Sequence, residues 1–225
     1  MGTIGIEWVN KYHGRGKDLK NRDNCARGFY NNLNGVKQFE YSDDLAWDQD
    51  FEESGVGSPT AGTDQIYADN VDIIYFAGHG GPSGISFGRT NKDDGTARNT
   101  NIRLGDRQCE WIVFDACSTL SWSGNVFDRW RQIFTGLHMI LGFENTAYDR
   151  SDRGEKFAKK LNAGKTLYRA WREACEETEG SDVNWCVLYV NESNTDTYND
   201  HWHGKGYVSP DPDNHTSGTS IRGPC

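Results

Sequence analysis

No two of the six cysteines, at positions 25, 109, 117, 175, 186 and 225, stand in a C-x-x-C pair. That removes the zinc-ribbon and thioredoxin-type readings. Their spacing is not that of a small disulfide scaffold, and a chain of 225 residues needs no such staples. No apolar run approaches the ~18 residues of a membrane span, and the opening MGTIGIEWVN has no long apolar core. Neither a membrane helix nor a secretory leader is expected, and the opening also lacks the Ser or Thr of a myristoylation signal. Basic residues are outnumbered, 24 Lys and Arg against 33 Asp and Glu, for a formal net charge of -9. A general nucleic-acid binder would carry a basic stripe instead. These absences predict a cytoplasmic protein with mostly free thiols, no nucleic-acid partner and no membrane contact.

What is present suits one large domain. The mean hydropathy of -0.80 gives a very polar surface, but eight Trp, ten Tyr and ten Phe supply bulk for a core. Ile4, Ile6 and Trp8 alternate, as a first strand requires. Cys25, Ala26, Phe29, Tyr30 and Leu33 recur at helical spacing, which predicts an amphipathic helix over about 22–33. VKQFEY reads as a short strand, and DDLAWDQDFEE as either a helix or an ordered loop. Residues 71–77, 110–117 and 137–143 are apolar on both faces, as central parallel strands are. Val126, Phe127, Trp130, Ile133 and Phe134 mark a helix, with SWSGN before it suited to an N-cap. Two more helices follow over 154–162 and 166–178, then a last strand over 183–190.

Strands alternating with helices predict an α/β domain over 1–190, a mostly parallel central sheet of about six strands flanked by helices. Residues 82–108 form a long polar segment with Arg89, Lys92, Arg98, Arg103 and Arg107, expected to be a lid, a binding loop or partly disordered. Residues 191–225 turn polar and are expected to be an extension, wrapped on the domain by Trp202 and Tyr207 or loose.

The chemistry concentrates in two stretches. In VDIIYFAGHGG, a buried run ends on His79 held between glycines; in EWIVFDACST, another ends on Cys117. Open α/β sheets bind ligands beyond the carboxyl ends of their strands, so the two strands deliver an imidazole and a thiol to one rim. Nucleophilic catalysis needs a thiol, a base and a substrate carbonyl between them. A free thiol, with pKa near ~8.5, gains reactivity from a nearby imidazole or a helix N-terminus. Gly80 and Gly81 allow close approach of backbone to substrate, and an N–H there with that of Cys117 would make an oxyanion hole. Asp115 lies two residues before Cys117 and shares its face if the strand persists.

YFAGHGG followed by IVFDACST resembles the cysteine peptidases of the caspase–haemoglobinase fold, among them caspases, legumain, clostripain and gingipains. The resemblance implies a caspase-like sheet, with His79 as acid–base, Cys117 as nucleophile, and the N–H groups of Gly80 and Cys117 as oxyanion donors. It also implies that Asp115, as in the clostripain-like members, lines a pocket that pairs with Arg or Lys of the substrate beside the scissile bond, with Gly81 at the substrate's edge. Alternatively, Asp115 caps the next helix or binds loop amides. The implied partner is a peptide or small amide, and the implied chemistry needs no cofactor and no metal. The same acyl-enzyme attacked by an amine or carbanion would make a ligase or cyclase, and a third reading is an inactive binding module that uses the 82–108 loop. The chain is also similar to a group of bacterial proteins of unassigned function that share the YFAGHG and DAC stretches and a YNDHW tail.

Other polar groups are expected to be structural. His201 and His203 in HWH, with Asp200, make a weak zinc set; folding of Tyr198, Asp200 or His201 back to the rim is a further option. Asp43, Asp44, Asp48, Asp50, Glu52 and Glu53 read as a solvated face, not an EF-hand loop. His138 reads as a core histidine, His13 and His215 as loop residues, and Cys25, Cys109, Cys175 and Cys186 as inert core thiols.

Overall fold

The computed structural model describes residues 1–57, 61–90, 94–213 and 217–225. In chain order, β1 (Thr3–Trp8), α1 (Arg22–Asn32) and β2 (Val36–Ser42) are followed by β3 (Ile73–Ala77), then three short strands, β4 (His79–Gly81), β5 (Gly84–Ser86) and β6 (Thr96–Arg98). After these come β7 (Trp111–Asp115), α2 (Val126–Trp130), β8 (Met139–Phe143), α3 (Arg153–Asn162), α4 (Leu167–Glu176), β9 (Asn184–Val190) and β10 (Gly218–Pro224). The fold is α/β. Its main sheet has seven strands in the order β10-β9-β8-β7-β3-β1-β2. From β8 to β2 all neighbours run parallel, while β9 and β10 close one edge antiparallel.

The continuous apolar strands follow from cover on both faces. Ile73, Tyr75 and Ala77 point with Trp111 and Val113 into a core shared with α1, α3 and α4. Ile74 and Phe76 point with Ile112 and Phe114 into a second core with α2 and the small sheet. Asn125 caps α2 by accepting from the Phe127 and Asp128 N–H groups, and Thr166 caps α4 through the Arg169 N–H.

Two expectations are corrected, and of the two alternatives for the tail the wrapped one holds, through Trp202 but not through Tyr207, which is exposed. DDLAWDQDFEE forms two short 3-10 turns, and of its acids only Asp44 is exposed: Asp48 is buried and accepts from the Gly95 and Thr96 N–H groups, while Asp43 accepts from those of Asn10 and Lys11. Residues 82–108 largely pack on the domain, since β4, β5 and β6 pair antiparallel and Ile85, Phe87, Ala97, Ile102 and Leu104 are buried. Lys92 of that segment, like His215, lies outside the described residues. The polar tail is part of the sheet: β10 pairs with β9 along its whole length, and Trp202 is fully buried with its Nε1 donating to the Asn34 carbonyl at 2.6 Å. β10 has one large apolar residue, Ile221, so backbone pairing rather than hydrophobic periodicity holds it.

Candidate active site

Register fixes where the two marked residues stand. Ala77 of β3 pairs with Asp115 of β7, and the Gly78 N–H donates to the Asp115 carbonyl. His79 and Cys117 are therefore each two residues beyond a matched pair on adjacent parallel strands. Gly78 and Gly80 have steric reasons to be glycine. A Cβ at Gly78 would stand 2.7 Å from both the Phe76 ring and the Tyr12 hydroxyl, and one at Gly80 2.7 Å from Thr119 Cγ2 and 2.9 Å from Ala116 Cβ. Gly80 is thus pressed against the turn that carries Cys117. Gly81 faces open space.

His79 is half-buried and tied at three points. Its backbone N–H donates to the Tyr12 hydroxyl at 2.6 Å, its ring lies 4.4 Å from the Tyr12 ring, and its Nε2 meets the Lys17 carbonyl at 2.7 Å. A carbonyl only accepts, so Nε2 carries the proton and Nδ1 keeps its lone pair. Burial pushes the Tyr12 phenol well above its ordinary range, which keeps it a neutral donor and acceptor beside the imidazole. Tyr12, Arg15, Lys17, His79, Gly80 and Ser86 line a cleft of about 340 Å³. Its charged wall is basic, and Lys17 forms no ion pair among the described residues.

Cys117 is half-buried, and its Sγ donates to the Ala147 carbonyl at 3.4 Å; it is not among the residues lining the cleft. No helix begins there: Cys117 opens a turn over 117–120, and α2 starts only at Val126. Within that turn Ser118 has φ of +56°, a left-handed conformation costly for a residue with a side chain. The turn is held by the Ser118 N–H on the Asn145 carbonyl and the Leu120 N–H on that of Phe143. Among the described residues nothing accepts from the Cys117 N–H.

Asp115 is elsewhere. The strand ends at Asp115, so the parity that would have placed its side chain beside Cys117 does not extend to the turn. Its fully buried carboxylate accepts from Arg22 at 2.7 Å, Tyr75 at 2.7 Å, the Cys25 thiol at 3.0 Å, and Arg153. Burial alone would raise its pKa, but Arg153 and Arg22 outweigh burial and hold it below the ordinary range. Asp115 therefore has no free oxygen aimed at a substrate and neither caps a helix nor binds loop amides. It pins α1 and α3 to the sheet, since Arg22 also pairs with Asp149 and Arg153 with Glu179.

The tail does not reach this rim. Asp200 bonds to His138 Nδ1 at 2.7 Å and to Trp111 Nε1 at 3.3 Å, Tyr198 stacks on Tyr168, and His201 turns to the Tyr207 carbonyl. His138 is buried as a core histidine would be, but it stands in a cluster of polar groups that sequence spacing conceals.

Residues 6–222 match the family model described as a domain of unknown function, DUF6345. The chain belongs to this family. An uncharacterized protein of Archaeoglobus fulgidus is 33% identical over 101 residues, covering 38% of this chain and 36% of its own length. This DUF6345 domain thus spans little more than a third of the curated relative it matches. Among its described residues no helix is long and apolar enough to cross a membrane.

Proposed function

We propose that this DUF6345 domain is a cysteine-dependent amide hydrolase or acyl transferase on a caspase–haemoglobinase-like sheet, with Cys117 as nucleophile and His79 as acid–base. The supporting observation is the matched position of the two residues beyond adjacent strands, with the imidazole already oriented by the Lys17 carbonyl. Sγ turns from Ala147 toward the cleft and attacks a carbonyl carbon. The C–N bond then breaks, and His79 Nδ1 delivers the thiol's proton to the leaving amine. Water, or an acceptor amine, then attacks the thioester as His79 takes up its proton. The Cys117 N–H, with no acceptor among the described residues, receives the oxyanion in this reading. A preference for basic substrates loses its support, because Asp115 is occupied; Arg15 and Lys17 at the cleft favour a substrate with an anionic group instead.

A second reading, an inactive binding module, is favoured by one observation: the thiol and the imidazole each bond a backbone carbonyl and not each other. Alkylation separates the two. Cys225, half-buried and lowered in pKa by a hydrogen bond from Cys175, is a competing thiol, so the measurement uses a Cys225→Ser background. Burial pushes Cys25 and Cys186 up to about 12 and raises Cys109 and Cys175, which keeps them slow. Iodoacetamide should modify Cys117 first, and His79→Ala should slow that step at least about tenfold while lowering any turnover about 10²–10⁴-fold. An unchanged alkylation rate in His79→Ala would leave the binding module as the better reading.

A further inference from the structure

The opposite ends of the same strands carry a second constellation. Ile73, Trp111 and Met139 are paired in register across β3, β7 and β8. The residues just before them, Asp72, Glu110 and His138, therefore form a row across the foot of the sheet, one strand spacing apart, about 4.8 Å. The tail brings His203 and Asp211 to this row. One ligand atom each from Asp72, Glu110 and His203 lies within 4.8 Å of the others, and the same holds for Glu110, His138 and Asp211. Glu110 belongs to both sets. A tetrahedral ion with bonds of about 2.0–2.1 Å holds its ligand atoms about 3.3 Å apart. His203 Nε2 is 3.1 Å from Asp72 Oδ1 and 2.7 Å from Glu110 Oε2.

Three features separate this cluster from a chance gathering of charges. First, the ligands have supporting partners of the kind found around metal ions. Asp200, fully buried, accepts from His138 Nδ1 at 2.7 Å and is fixed by the Trp111 Nε1–H and the Ser209 N–H. With Asp200 on Nδ1, the ring turns Nε2 toward the cluster, where it meets Asp211 Oδ1 at 3.3 Å; a bound ion would take the place of the proton between them. Asp72 Oδ2 is likewise held by the Thr3 N–H and hydroxyl, which leaves Oδ1 toward His203. Second, Glu110 Oε2 is buried, and its partner among the described residues is another member of the cluster, His203 Nε2 at 2.7 Å. Third, a cavity of about 360 Å³ opens beside Asp72, Glu110 and Asp211, giving an entry path and room for water. Arg107 also lines that cavity, but its guanidinium donates to the Gln65 carbonyl.

We propose that the foot of the sheet binds a divalent transition-metal ion of the zinc class, with Glu110 as the common ligand, Asp72 and His203 on one side and His138 and Asp211 on the other. Mixed imidazole and carboxylate donors suit zinc, cobalt, manganese or iron, and two imidazoles make calcium and magnesium poor occupants. Of the HWH tripeptide only His203 is a ligand. Asp200 acts one step removed, by orienting His138, and His201 is not used. The ion ties the tail to three central strands, so its binding is also a folding contribution. The site does not depend on the reading of Cys117.

The test uses the full chain stripped with a chelator and dialysed, then titrated with Zn²⁺ by calorimetry and with Co²⁺ by visible absorption. Expected are saturable binding at one or two ions per chain and a melting temperature that climbs with free Zn²⁺. One ion means the two sets share it, and two means Glu110 bridges them. Glu110→Gln and His203→Ala should each weaken binding at least about a hundredfold, and Asp200→Asn about 10–100-fold, the range for partners of ligands. Cys117→Ser should bind as the parent does, and a cobalt spectrum without thiolate charge-transfer bands should accompany it. Should Glu110→Gln fail to fold, His203→Ala, on the half-exposed tail residue, carries the test alone. A folded parent that binds neither ion, or folded variants that bind as tightly as the parent, would overturn the proposal.

Discussion

Asp115 shows how one buried carboxylate can be misassigned and what corrects it. In sequence it stands two residues from the candidate nucleophile, in the place of a specificity residue. In the fold two arginines, a tyrosine and a thiol surround it. Its replacement should therefore affect stability and leave selectivity alone. Asp115→Asn leaves Arg22 and Arg153 facing a neutral amide, and breaking such buried pairs costs about 3–5 kcal/mol. For a domain of this size that lowers the melting temperature by roughly 10 °C. Thermal unfolding measures the first effect. A substrate panel measures the second, and loss confined to cationic substrates would return Asp115 to a recognition role. His79 and Cys117 were legible because a buried run ending in a polar residue between small ones has few structural uses. The partners of Asp115, 22 and 153 in the chain, were not, because nothing in local spacing announces contacts across 93 and 38 residues.

At the scale of elements, the strands covered on both faces and the amphipathic helices were readable from period alone, and their observed limits differ from the expected ones by one or two residues, except that the helix expected through Phe134 ends at Trp130 and continues as a 3-10 turn over Arg131–Ile133. What was missed has no period to read. β4, β5 and β6 are three residues each, and β10 is mostly small and polar, so only their pairing partners define them. The foot cluster was hidden for a related reason: Asp72, Glu110 and His138 are neighbours through register, not through sequence. Trp202 is the largest fully buried side chain of the tail. Trp202→Ala should cost about 3–5 kcal/mol as a large core truncation and expose residues 197–213 to limited proteolysis. Retention of the parent's protease pattern would mean that β10 alone holds the tail.

Across the whole molecule, buried acids set the response to pH. Burial, with Glu53 beside one and Asp106 beside the other, lifts Asp64 and Asp69 to about 8, and burial with Asp50 nearby lifts Glu7 well above its ordinary value. The folded state thus holds protons that the unfolded chain releases near pH ~4. Stability falls as pH rises from there through about 8, by the sign of the linkage relation. Asp115, lowered, acts oppositely and loses its contribution as pH drops below about 4. A maximum near pH ~5 is expected, with the melting temperature lower by roughly 5 °C or more at about pH 8. Glu7→Gln should flatten that decline, and a parent curve that is level over this range would refute the assignment. The sheet order has a mechanical consequence as well. β1 begins at the foot of the sheet between two parallel neighbours, whereas β10 finishes at the head against β9. Tension applied through Gly2 and Cys225 therefore drags both strands lengthwise past their neighbours. Each row of hydrogen bonds bears the load together instead of opening one bond at a time, so the domain is built to resist stretching along its strands.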